Sequence, residues 1–141
     1  MTCENDSPAA LCRASFLWRE DRDDEKPKEL QIRTKDFALR VIRLYAALPK
    51  STEAQVLGKQ VLRSGTSVGA NYREAYRSRS KAEFIAKLGD CLKELDESSY
   101  WFELLAESGT STSAHLEDLQ KECNELLAIF TAISKKCKNK G

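Results

Sequence analysis

A chain of 141 residues is long enough to bury one real core without disulfide staples. Its 23 lysines and arginines almost cancel its 22 aspartates and glutamates, so no global field of one sign marks it as a nucleic-acid or membrane-surface binder. The five cysteines, Cys3, Cys12, Cys91, Cys123 and Cys137, form no C-x-x-C pair, and an odd, scattered set argues against a disulfide framework and for a reducing cytoplasm.

Residues 1–29 read as a disordered extension. MTCENDSPAA is polar and REDRDDEKPKE is a mixed charge run with a proline, while Phe16, Leu17 and Trp18 between them are apolar enough to dock on a domain or partner. The start lacks the basic and apolar regions of a signal peptide, and no segment approaches eighteen consecutive apolar residues, so no membrane partner is expected. Residues 30–138 then form the domain, and 139–141 end a basic tail.

Within the domain the hydrophobic period predicts four helices. In the first, Phe37, Val41, Leu44 and Leu48 recur at steps of three and four after Thr34, a candidate N-cap, and Pro49 ends it. The second opens with Thr52 and Gln55 at capping-box spacing and carries Leu57, Val61, Gly65, Val68, Tyr72 and Ala75 along one stripe.

The third opens with a second capping box, Ser80 and Glu83. Its stripe is Phe84, Leu88, Cys91, Leu95, Ser98, Phe102 and Leu105, and Gly109 suits the residue just past its end. Ile85, Leu92, Trp101 and Leu104 lie beside that stripe, where they either thicken the core or form an oligomer interface. In the fourth, Leu116, Leu119, Cys123, Leu126, Phe130, Ile133 and Cys137 make a continuous seam. Short connections between long helices predict an all-α, antiparallel, up-and-down four-helix bundle.

The stretch LRSGTSVGANYREAYRSRS, Leu62 to Ser80, has the composition of a phosphate-binding loop but not its pattern. No GK[ST] follows the glycines and no strand precedes them. As a helix it puts Gly65 and Gly69 on one face, where a neighbouring backbone can approach closely. It also makes neighbours of Arg73 and Arg77, and of Lys59 and Arg63.

From Lys59 to Lys81 there are six bases and one acid, whereas from Glu94 to Glu125 there are nine acids and one lysine. Two readings of the bases Lys59, Arg63, Arg73, Arg77, Arg79 and Lys81 therefore stand open. They contact the phosphates of RNA or DNA, or they pair with acids such as Glu94, Asp96 and Glu103. The terminal KKCKNK, with four lysines in six residues, could add phosphate contacts. Asn71 and Glu74 share a face with Ser67 and Ser78, a polar patch suited to fixing helix register or an oligomer contact.

Catalytic chemistry finds little support. The single histidine, His115, has no second histidine to complete a metal site, and Cys91 and Cys123 fall on core stripes. Glu94 and Glu97 could in principle ligate a metal, but the Glu-x-x-His signature of di-iron bundles is absent. No enzyme activity, metal or cofactor is expected.

LPKSTEAQVLGKQVLRSGTSVGANYREA followed by SRSKAEFIAKLGDCLKELDESSYWFELLAESG resembles the 23S ribosomal-RNA intervening-sequence protein family. The resemblance rests on Leu48-Pro49, Gln60, Leu62-Arg63-Ser64, Ser67-Val68, Ala70-Asn71, Glu74-Ala75, Ser80, Glu83-Phe84 and Glu94-Leu95, and it covers roughly residues 33–135. It implies a small helical protein without established enzymatic activity that assembles as a ring-like homo-oligomer, commonly a pentamer. The chain is also similar to accessory variability proteins of diversity-generating retroelements. That similarity implies a basic surface acting with nucleic acid and a reverse transcriptase partner.

Overall fold

The computed structural model of the chain describes residues 25–111 and 114–139. Expectations for the extension before residue 25, including Phe16, Leu17, Trp18, Cys3 and Cys12, and for residues 140–141 lie outside the described residues. Four helices follow in order: α1 (Glu25–Ala47), α2 (Thr52–Tyr76), α3 (Lys81–Glu107) and α4 (Ala114–Asn139). There is no strand among the described residues.

On α1 the buried seam is Leu30, Thr34, Phe37, Val41 and Leu44, with Leu48 just beyond the helix. Steps of three and four put these side chains on one face, and Pro49 cannot continue the ladder. Thr34 is not an N-cap. The seam reaches upstream to Leu30, and the Thr34 hydroxyl satisfies itself inside the helix by donating to the Leu30 carbonyl at 2.8 Å.

The cap of α2 is Ser51 rather than Thr52. Ser51 adopts extended backbone, and its hydroxyl accepts from the Ala54 N–H at 3.3 Å. Gln55 meanwhile donates to the Pro49 carbonyl at 2.9 Å and accepts from the Tyr45 hydroxyl at 3.0 Å, which ties the α1–α2 turn together.

At the next turn Ser80 accepts from the Glu83 N–H at 3.0 Å, as the capping spacing requires. The Glu83 carboxylate takes the Arg79 N–H at 2.8 Å, one residue earlier than a reciprocal box would have it. Gly109 closes α3 with φ of +77°, a conformation that only glycine adopts without strain.

All seven stripe residues of α3 are buried. On α4 Ser134 is buried where Ile133 was expected to complete the seam, and Ile133 is half-buried beside it. Helices adjacent in sequence pack on each other, α1 also touches α4, and the buried residues form one core. Rings cross it edge to face, Tyr72 on Phe130 at 5.4 Å and Phe37 on Phe102 at 6.3 Å. A bidentate pair ties α1 to α4, with Arg33 2.7 and 2.8 Å from the two Glu122 oxygens and 2.5 Å from Glu125.

Three glycines set the α1–α2 approach. A Cβ on Gly58 would lie 2.7 Å from Tyr45 and Leu48, one on Gly65 would lie 2.9 Å from Val41, and one on Gly69 would lie 3.2 Å from the Thr34 hydroxyl. Gly58, one heptad before Gly65, belongs to the row although the sequence stripe passed through Leu57 instead. Ile85, Leu92 and Trp101 pack as half-buried flanks of the core. The large apolar side chains left exposed include Ile32, Leu39 and Ile42, on one face of α1.

Candidate nucleic-acid interface

The side of α2 opposite its buried stripe is defined by the same period. Ala54, Gly58, Val61, Ser64, Gly65, Val68, Tyr72 and Ala75 face the core. Lys59, Arg63, Ala70, Arg73 and the C-capping Arg77 are exposed, with the half-buried Thr66 between them. The helix runs unbroken through its glycines, so these positions share one stripe about 27 Å long at 1.5 Å per residue. Arg79 is exposed in the turn that follows, and Lys81 is half-buried at the first position of α3.

The stripe is not uniformly charged. Arg63, half-exposed, donates to Glu94 at 3.3 Å and also to Glu97, both on α3. The Glu97 hydrogen bond raises the guanidinium above its ordinary range, against partial desolvation. Glu74 accepts from Lys87 at 2.6 Å, so the one acid of the basic segment is also taken up by α3. Ion pairing with α3 at the exposed surface stabilises the protein only modestly. Its larger effect is to leave Lys59, Arg73, Arg77 and Arg79 as exposed bases with no described carboxylate in ion-pair range.

The predicted packing residues divide. Gly65 and Gly69 meet α1 within the chain. Asn71 is half-buried, Glu74 is exposed on the pair with Lys87, and Trp101 stacks tilted on Tyr100 at 5.1 Å. The indole N–H of Trp101 is sealed from solvent with no acceptor among the described residues. The interactions that sequence reasoning missed all cross between helices. These are the Arg33 clamp on Glu122 and Glu125, and a buried hydrogen bond at 2.8 Å between the Ser64 and Ser98 hydroxyls. Serines at seam positions of both helices were the available signal for the second.

Two of the seam cysteines, Cys91 and Cys123, are held as buried thiols. Cys91 donates to the Val68 carbonyl at 3.6 Å and Cys123 to the Leu95 carbonyl at 3.2 Å, and burial pushes both thiols up to about 12. The unfolded chain releases these protons near the ordinary value of 9.0, whereas the folded chain holds them. Stability is therefore full below about pH 9 and falls toward pH 12, by about 1.4 kcal/mol per pH unit per thiol. Urea midpoints measured across that window will decline, and Cys91→Ala/Cys123→Ala will decline less steeply. Equal slopes would contradict the assignment.

His115 is exposed, and no group of three or more His, Cys, Asp or Glu among the described residues could hold a metal. Nor is any described helix long and apolar enough to cross a membrane.

A family model described as 23S rRNA-intervening sequence protein matches residues 28–132. A protein of unknown function from the S23 ribosomal protein family of Bacteroides thetaiotaomicron, solved by crystallography, is 39% identical. The match covers 74% of this chain and 97% of that one, with a TM-score of 0.70. Among curated proteins there is no match.

Proposed function

The chain belongs to the 23S rRNA-intervening sequence protein family, and from that premise we propose that it is a non-enzymatic, homo-oligomeric protein that binds RNA or DNA through the exposed stripe of α2. The observation that carries this reading is the set of exposed bases, Lys59, Arg73, Arg77 and Arg79, without carboxylate partners among the described residues. Guanidinium and ammonium groups released from internal pairing are available to phosphate.

The helices run antiparallel, up and down. This order is supported by the pairing of Gly58 with Leu48, Gly65 with Val41 and Gly69 with Thr34, and of Val68 with Cys91 and Ser64 with Ser98. It carries the lysine-rich end of α4 to the same end of the bundle as the α2–α3 turn, where it extends the basic surface. The exposed Ile32, Leu39 and Ile42 of α1 support a homo-oligomer, read as a ring and most simply a pentamer, in which a neighbouring subunit covers them. Repetition of a modest site around such a ring raises avidity. The protein acts in the cytoplasm, with a protein partner such as a reverse transcriptase as one route to nucleic acid.

A second reading, a protein-interaction scaffold whose bases serve ion pairs, is favoured by Arg63 with Glu94 and Glu97. Fluorescence anisotropy with labelled RNA and DNA over a salt series separates the two. Affinity falls steeply with salt, and Arg73→Glu/Arg77→Glu lowers it at least about tenfold for all sequences alike. Arg63→Glu acts mainly on stability. Unchanged affinity in a folded double variant removes α2 from the binding surface, and absence of binding by the parent at any salt favours the scaffold.

A further inference from the structure

A groove of about 260 Å³ opens between the later turns of α1 and the start of α4. Arg40, Arg43, Leu44 and Ala47 line it from α1, and His115 and Leu119 from α4. None of the α2 bases takes part, so the groove is independent of the nucleic-acid reading.

The same α1–α4 seam contains a direct contrast. Arg33 is answered by Glu122 and Glu125 in a bidentate clamp. Arg40 and Arg43, two to three turns further along α1, have no carboxylate within ion-pair distance among the described residues. Asp36, Glu117 and Asp118, the acids nearest in sequence on the two helices, are all exposed and none lines the groove.

Two arginines and a histidine thus line one concavity that has no acid among its described lining residues. A guanidinium fork matches phosphate oxygens in pairs, and an imidazole adds a further donor. Ala47, which is exposed, and the nearly buried Leu44 and Leu119 line the same groove with apolar surface. The volume falls just below the roughly 300 Å³ at which pockets for drug-sized ligands begin, so it suits one phosphate with a small flat body.

We propose that this groove binds a phosphomonoester of mononucleotide size, its phosphate held by Arg40, Arg43 and His115 and its base resting on Ala47 and the edge of Leu44. The ligand can be a free nucleotide or the phosphorylated end of a strand, which present the same chemistry.

Calorimetry on the full chain with AMP and adenosine tests the site, and oligonucleotides with and without a 5′-phosphate identify the source. AMP binds saturably and adenosine at least about tenfold more weakly. Arg40→Ala/Arg43→Ala lowers AMP affinity at least about tenfold, and Arg40→Lys/Arg43→Lys falls between because it keeps the charge but loses the fork. Arg73→Glu/Arg77→Glu leaves AMP binding unchanged, which separates failure of this site from failure of the α2 surface. A 5′-phosphate that strengthens oligonucleotide binding only when Arg40 and Arg43 are present assigns the strand end, whereas an effect confined to AMP assigns the free nucleotide. No saturation by about 10 mM AMP, equal binding of adenosine, or equal AMP affinity in the folded alanine variant would overturn the proposal.

Discussion

Phe130→Ala will destabilise the protein by about 3–5 kcal/mol, out of the roughly 5–15 kcal/mol that holds a domain of this kind together. Phe130 has no solvent exposure, and its ring meets Tyr72 of α2 edge to face at 5.4 Å, so truncation loses both apolar transfer and an aromatic contact. The hole cannot collapse cheaply. Tyr72 is itself fully buried, and the seam around it is held by Leu126 and Cys137 from the same helix as Phe130. At a few degrees per kcal/mol the melting temperature will drop by roughly 10 °C or more. Phe130→Leu, which keeps most of the volume, will cost less than half as much. A melting temperature for Phe130→Ala within about 2 °C of the parent would mean that the α2–α4 contact is not part of the core.

Gly65→Val will cost about 3 kcal/mol, although the substitution removes a helix-weakening glycine. A Cβ at Gly65 would lie 2.9 Å from one Val41 methyl and 3.1 Å from the other. Val41 is fully buried and β-branched, so neither a rotamer change nor a shift toward solvent relieves the contact. α1 must instead move away from α2, opening the row that Gly58 and Gly69 extend on either side. Gly89→Ala is the matched control. Nothing lies within 4 Å of a Cβ there, so the substitution will add about 0.5–1 kcal/mol of stability. Chemical denaturation of both variants decides the point, and a Gly65→Val protein as stable as the parent would show that the helices have room to spare.

The parts legible in the sequence were those written in local periodicity. All seven α3 positions, Phe84 through Leu105, could be picked out because steps of three and four repeat for about six turns. Ser80 and Gly109 were visible because caps require particular side chains and a left-handed φ requires glycine. The early turns of α1 were not, since a charge run with a proline reads as a tail until Leu30 is seen to join the seam. The cap of α2 was misjudged by one position because Ser51 and Thr52 are adjacent and chemically equivalent. At the candidate interface the stripe of bases was legible and pairing with Glu94 was one of its two open readings, but which base would take that acid, and Glu97 with it, was not. Whether an arginine is free depends on which face of another helix turns toward it, and no spacing within α2 reveals that Glu94 and Glu97 do. The groove at Arg40, Arg43 and His115 joins residues more than seventy positions apart and was equally hidden.

The hydrogen bond between Ser64 and Ser98 has a consequence for uniqueness. Seams built largely from leucines repeat nearly every seven residues, so one helix could slide along another by a heptad and still bury apolar surface. Sliding α3 by seven residues would bring Leu105 or Cys91 opposite Ser64 in place of Ser98, and would leave a buried hydroxyl facing an apolar or weakly polar neighbour. Such a mismatch costs about 1–3 kcal/mol, enough to disfavour the slipped arrangement roughly tenfold to a hundredfold. Two small hydroxyls, weak as glue, thus act as a detent that stops an otherwise slippery interface at one notch.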